Sequence, residues 1–281
     1  VTDRRLTPAN GRVAAAHLKG LVSAERFAEG TPRRVVVPVA DLWARPDAGA
    51  RERQLVWGEA VTVYDESGGM AFIQAARDGY VGYVPEAALG APEDITHTVS
   101  VPATHLYPVP DMKHPGAQHL SFGARLRIVS ASADGTFFET SEGRFVPRPH
   151  VRPARAPFTD PVAVAQLFFG VPYLWGGNSV LGIDCSGLVQ MGCLAAGIAC
   201  PGDSDLQEAE LGAALAPGSP QMRGDLLFWR GHVALAVDED VLIHANAHHM
   251  AVAYEPAAEA IARIEEQGGG PVTSQRRLPR S

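Results

Sequence analysis

Asp184-Cys185-Ser186-Gly187-Leu188 opens an apolar stretch that reads as a helix, and Gly231-His232-Val233 follows it downstream. That pairing decides how the chain is read. A cysteine at a helix N-terminus sits at the positive end of the macrodipole. A neighbouring imidazole stabilises the thiolate further, so its pKa falls from about 8.5 toward roughly 3–4 in the most favourable cases. Cys185 is therefore a candidate nucleophile for acyl transfer and His232 its candidate base. The backbone N–H of Cys185 is in addition a candidate donor to the oxyanion of a tetrahedral intermediate.

Around these residues the hydrophobic spacing predicts helices over 161–169, 185–196 and 205–214. Strand-like segments follow at 225–229, 233–238, 241–245 and 250–254. A helix bearing cysteine, packed on an antiparallel sheet bearing histidine, is the papain-like α+β arrangement, and the chain order of Cys before His agrees with it.

The first half of the chain follows a different pattern. Val37-Pro38-Val39-Ala40-Asp41-Leu42-Trp43 aligns with Val101-Pro102-Ala103-Thr104-His105-Leu106-Tyr107, and Leu55-Val56-Trp57-Gly58 with Leu120-Ser121-Phe122-Gly123. Tyr83-Val84-Pro85 aligns likewise with Phe145-Val146-Pro147. Each copy alternates apolar and polar residues in short runs broken by Gly, Asp and Ser turns, the pattern of a small β-barrel. The repeat resembles tandem bacterial SH3-like domains. The expected organisation is a helical leader over 1–34, with a helix-like stretch from Asn10 to Phe27. SH3-like barrels over 35–92 and 93–153 follow, then a papain-like catalytic domain over 154–281. The proline-rich run from Val151 to Pro157 is read as the connector.

Composition narrows the function classes. A formal charge of -7 argues against nucleic acid as a partner, and no run approaches the roughly 18–20 apolar residues of a membrane span. Cys185, Cys193 and Cys200 fall within one short stretch without the spacing of a disulfide framework and read as thiols, the latter two structural. His248 and His249 have no paired Cys or Glu at ligand spacing, so neither a metal nor a cofactor is expected. The start, Val1-Thr2-Asp3-Arg4-Arg5, lacks an apolar signal region, which gives the expectation of a cytoplasmic protein.

Several elements in order resemble the NlpC/P60 cell-wall peptidases across 160–255: Tyr173-Leu174-Trp175-Gly176-Gly177, Gly182-Ile183-Asp184-Cys185-Ser186-Gly187-Leu188, Gly224-Asp225-Leu226, Gly231-His232-Val233 and Ile243-His244. The resemblance implies Cys185 as nucleophile, His232 as base and His244 as the polar residue that orients the imidazole. It also implies the Tyr173 hydroxyl as a second oxyanion donor, whereas aromatic core packing is the other reading of Tyr173 and the main one for Trp175.

Pro201-Gly202-Asp203-Ser204-Asp205-Leu206-Gln207 has the form of a capping box, Ser204 with Gln207 three residues on. In relatives that carry N-terminal SH3-like domains, a similar Asp-Ser pair lines the substrate cleft. The resemblance thus groups Asp203, Ser204, Asp184 and Ser186 as an acidic pocket suited to a free α-amino terminus. It also implies that Glu52 and Tyr80, in the first SH3-like copy, close the cleft over that terminus, the other reading of Glu52 being a solvated charge. The second copy keeps neither residue, at Gly116-Ala117-Gln118-His119 and Glu142-Gly143.

The expected activity is that of a cysteine endopeptidase of the γ-D-glutamyl-L-diamino-acid type. Its expected substrate is a free murein peptide with an unblocked N-terminal L-Ala, cut during cell-wall recycling. Two rivals stand beside this reading: a secreted endopeptidase acting on intact peptidoglycan, and a non-catalytic peptide-binding module.

Overall fold

The computed structural model describes residues 3–47 and 49–279, and the chain divides into two compact units at Ala156/Pro157. Of the expected leader, Val1 and Thr2 lie outside the described residues. The rest of the leader is not helical. Val13–Ala15 and Arg26–Ala28 form a parallel pair of short strands, with a single 3₁₀ turn at Ala16–Leu18. The Asn10 side chain accepts from the N–H groups of Arg12 and Val13, which makes an Asx turn, and Gly11 sits at a φ of 87° that helix does not allow. Val13 and Ala15 then alternate into a core of Tyr64, Phe72 and Val81, and that burial outweighs the helical propensity of the alanines. The leader also ends earlier than expected, because Thr31–Val35 already belongs to the sheet of the first repeat.

That first repeat forms one seven-stranded sheet, in the order Arg51–Val56, Val39–Trp43, Val81–Pro85, Met70–Ala75, Ala60–Ser67, Thr31–Val35 and Leu89–Gly90. Val35, Leu42, Leu55, Ile73 and Val84 fill its interior, each buried side chain contributing roughly 1.5–3 kcal/mol. The second copy repeats the pairing plan in three pieces. His97–Val99 pairs with Arg125–Leu126 and Val151–Pro153, Ala103–Leu106 with Gln118–Ser121, and Phe137–Thr140 with Ile128–Ala131 and Phe145–Pro147. The first part of the expected connector, Val151–Pro153, is therefore a strand of this copy.

The second unit carries a six-stranded antiparallel sheet in the order Ala213–Ala214, Ser274–Arg277, Asp225–Trp229, His232–Ala236, Val241–Asn246 and Ala251–Pro256. Helix α1 (Pro161–Gln166) packs on α2 (Cys185–Ala195), and α2 packs on the strands His232–Ala236 and Val241–Asn246. Helix α3 (Ser204–Glu210) is shorter than its apolar pattern suggests. Gly212, at a φ of 59°, brings the backbone so close to the Arg277 carbonyl that a Cβ would lie 2.2 Å from its oxygen, and the chain turns into the edge strand Ala213–Ala214.

Two further elements lie C-terminal to the last expected strand. Helix α4 (Ala257–Glu266) lays Ala260 on a cluster of Leu227, Trp229, Ala234 and Leu242. Strand Ser274–Arg277 is pinned by Arg277, which donates Nε and Nη2 to the buried Asp225 carboxylate, both at 2.7 Å. Among the described residues no helix is long and apolar enough to cross a membrane.

Candidate active site

Cys185 is the first residue of α2 and is 7% exposed, with Asp184 as the N-cap in extended conformation. All three cysteines are free thiols and buried. The Asp184 carboxylate holds the helix start together. Its Oδ1 accepts from the Gly187 N–H at 2.6 Å and from Ser186 Oγ at 3.1 Å, while its Oδ2 accepts from the Gly176 N–H at 2.9 Å. Asp184 and Ser186 thus have a structural task in the free protein, the capping of α2.

The glycines of the motif follow from the closeness of this contact. A Cβ on Gly187 would lie 2.4 Å from the Gly177 carbonyl oxygen, and one on Gly177 2.4 Å from that of Gly182. The 173–177 segment is thereby pressed against the start of α2, with Leu174 N–H donating to the Ile183 carbonyl and Tyr173 N–H to that of Met250. Burial, and then the negative charges of Cys185 and Asp184, raise the Tyr173 pKa. Its hydroxyl therefore keeps its proton and stays a hydrogen-bond donor. Trp175, expected in the core, is 70% exposed instead: the tight loop turns its side chain outward.

His232 and His244 stand on adjacent strands, with His232 Nε2 and His244 Nδ1 2.9 Å apart. The chain continues beyond them. His244 Nε2 lies 2.9 Å from Glu255 Oε2, and Arg263 of α4 donates Nε to Oε1 and Nη2 to Oε2, both at 2.8 Å. Trp229 covers one side of the His232 ring, centroids 5.6 Å apart. Glu255 and Arg263 were not picked out from the sequence. The signal that could have found them is Pro256 followed by an Ala/Glu/Ile/Arg helical pattern, which puts Arg263 over the end of the preceding strand.

Burial lowers His232 to about 3, helped by His244 and Arg263 and opposed by Glu255. Burial likewise lowers His244 to about 4, against the pull of Glu255. Arg263's hydrogen bonds hold Glu255 at about 2. An unfolded chain takes up protons on its histidines below about pH 6.5, whereas the fold refuses them until pH 3–4. Stability therefore falls as the pH drops through that window. The fully buried His244 contributes a slope of up to about 1.4 kcal/mol per pH unit. In urea unfolding at pH 7, 6 and 5, the His244→Gln variant should lose acid stability less steeply than wild type; equal slopes would contradict the assignment.

The remaining expected residues fall into separate groups. Asp203, not Ser204, is the N-cap of α3, and no side-chain cap bond forms. Gln207 does not close the expected box: its Nε2 donates to the carbonyls of Ser186 at 2.9 Å and Pro201 at 3.0 Å, tying α3 and the 201–204 segment to the first turn of α2. Its amide nitrogen thus serves tertiary acceptors in place of the local cap. In the first unit, Tyr80 donates its hydroxyl to Glu52 Oε2 at 2.8 Å, and Arg4 pairs with Oε1 at 2.7 Å. His249 bonds Asn246 Oδ1 through its N–H and Nδ1.

The arrangement provides a thiol at a helix start, an imidazole ordered by a buried chain of acceptors, and a phenol donor. Residues 170–264 match the NlpC/P60 family, and residues 42–89 match the bacterial dipeptidyl-peptidase SH3 domain. A γ-D-glutamyl-L-lysine dipeptidyl-peptidase of Bacillus cereus is 27% identical over 268 residues, covering 81% of this chain and 76% of that protein. The protein of the same name from Bacillus subtilis is 30% identical over 220 residues, covering 69% of this chain and 72% of its own length. The crystal structure of an NlpC/P60 family protein from Bacillus cereus superposes with a TM-score of 0.73 at 23% identity, over 89% of this chain and 100% of that one.

Proposed function

The chain belongs to the NlpC/P60 family of cysteine peptidases, and from that premise we propose that it cuts free murein peptides between the γ-D-glutamyl residue and the diamino acid, acting on peptides with an unblocked N-terminal L-Ala in cytoplasmic cell-wall recycling. The observation that carries the reading is the hydrogen-bonded chain that runs from His232 and His244, on the two strands against which the Cys185 helix packs, to Glu255 on the next strand. The names of the two Bacillus relatives supply the γ-D-glutamyl bond.

Cys185 gives its thiol proton to His232 Nδ1, and the thiolate attacks the γ-carbonyl carbon of D-Glu. The oxyanion takes hydrogen bonds from the Cys185 N–H and the Tyr173 hydroxyl, each such donor worth about 2.7–4 kcal/mol. His232 returns the proton to the leaving α-amine as the C–N bond breaks. Water then attacks the thioester, His232 accepts its proton, and the thiol is restored as the acid departs.

Glu52 and Tyr80 are assigned to the peptide's ammonium group. In support, the Glu52 carboxylate already pairs with a cation, Arg4, and Tyr80 orients it. Asp203 and Ser204, with Asp184 and Ser186, complete the proposed substrate-binding set. The second copy, built on the same pairing plan, is assigned as a further SH3-like barrel without this pair.

L-Ala-γ-D-Glu-meso-diaminopimelate should release diaminopimelate, seen by mass spectrometry. N-acetylation of the peptide or Glu52→Gln should lower kcat/KM by about 10- to 100-fold, as loss of a charge-assisted hydrogen bond does. Equal cleavage of free and acetylated peptides, or solubilisation of purified sacculi at a comparable rate, would favour a secreted enzyme of intact peptidoglycan.

A further inference from the structure

We propose that Glu255, held by Arg263, is a positioning residue that fixes the tautomers of both histidines and thereby decides which ring nitrogen of His232 faces the chemistry. The inference rests on the reading of Cys185 and His232 as nucleophile and base.

The argument is one of donors and acceptors. An ionised carboxylate only accepts, so His244 Nε2, 2.9 Å from Glu255 Oε2, carries the proton. In a neutral imidazole the other nitrogen is then an acceptor, so His244 Nδ1 receives the proton of His232 Nε2 across 2.9 Å. The lone pair of His232 is left on Nδ1, which bonds to no described residue and is the nitrogen able to take a thiol proton. Reversing the first bond reverses the series. With a proton on His244 Nδ1, His232 would accept at Nε2 and carry its own proton on Nδ1, and it could not act as base.

The surroundings commit the chain to one direction. His244 is fully buried and Glu255 is 8% exposed, so neither exchanges its partner freely with water. Arg263 engages both oxygens of Glu255, which keeps the carboxylate ionised and its orientation fixed. The charged and titratable groups acting on the two rings come from three further elements: Glu255 on the last strand of the run, Arg263 on α4, and His249 in the turn after Asn246. Among these, Glu255 is the acceptor that His244 meets directly. When His232 takes up the thiol proton, the same carboxylate stabilises the imidazolium through His244.

The test uses the full chain with ¹⁵N-labelled histidine rings, together with steady-state kinetics on the tripeptide and alkylation of Cys185 at pH 6. Wild type should carry the ring proton on Nε2 of both His232 and His244. Glu255→Ala should populate the Nδ1–H form of His244, slow alkylation, and lower kcat by about 10- to 100-fold with KM little changed, the scale seen when an orienting partner of a functional histidine is removed. Glu255→Gln, whose amide oxygen can still accept from His244 Nε2, should keep the wild-type tautomers and recover most of the lost rate. A wild-type His244 protonated on Nδ1 overturns the proposal, and that reading needs no variant to fold. So does a folded Glu255→Ala protein with wild-type tautomers, whatever its rate. If no tripeptide is cut by wild type, the substrate assignment fails, while ring tautomers and alkylation rate still decide the role of Glu255.

Discussion

With Cys185 as the proposed nucleophile, its replacement by serine, a change of one atom, should lower turnover of the tripeptide by on the order of 10⁴-fold or more, the scale for removing an activated nucleophile. Thermal stability stays within about 1.5 kcal/mol of wild type, because the substitution is nearly isosteric. The size of the effect comes from the base. An imidazole takes a proton readily only from a group whose own pKa is not far above neutrality. A thiol with an ordinary pKa of about 8.5, lowered further at a helix start, is such a group; an alcohol is not. A serine variant that retains a tenth of wild-type turnover would remove Cys185 from the mechanism.

Asp184→Ala has the second large effect, on folding. The carboxylate is buried and receives three hydrogen bonds, two of them from backbone amides that have no room to find water once the loop is pressed on the helix. Losing the cap bond from the Gly187 N–H costs about 0.5–2 kcal/mol, and the Gly176 N–H left without its acceptor adds about 1–3 kcal/mol. The expected loss is therefore roughly 2–5 kcal/mol in the unfolding free energy, with activity falling as the start of α2 loosens. Asp184→Asn, which retains one acceptor oxygen, should lose less. Thermal unfolding of the two variants separates these outcomes; a loss under about 1 kcal/mol for the alanine would show that the cap is not what holds the helix start.

The difference between what was legible and what was not follows from where the information lies. The strand Asp225–Trp229 and the start of α2 at Cys185 were readable because turn residues bracket them and their apolar patterns are local. The leader misled because Val13, Ala14 and Ala15 are compatible with a helix by composition. Asn10-Gly11 and a core supplied by Tyr64, Phe72 and Val81 from distant strands make them extended.

The same holds at the site. His244 was found through its place in a motif, whereas Glu255 and Arg263 reach it through strand pairing and a helix docked over the sheet. Gln207 looked like a partner for Ser204, but its amide goes to two carbonyls that only the folded chain brings near. Trp175 is expected inside as an aromatic, whereas the folded loop leaves it exposed.

The central claim is that Cys185 is an activated thiolate prepared by His232. Iodoacetamide alkylation as a function of pH, with the modified residue located by mass spectrometry, measures it without any substrate. Cys185 should alkylate at pH 6 far faster than a free thiol, with an apparent pKa well below about 8.5, and His232→Ala should abolish the advantage. An unmodified Cys185, or one that reacts at pH 6 no faster than free cysteine, would contradict the account.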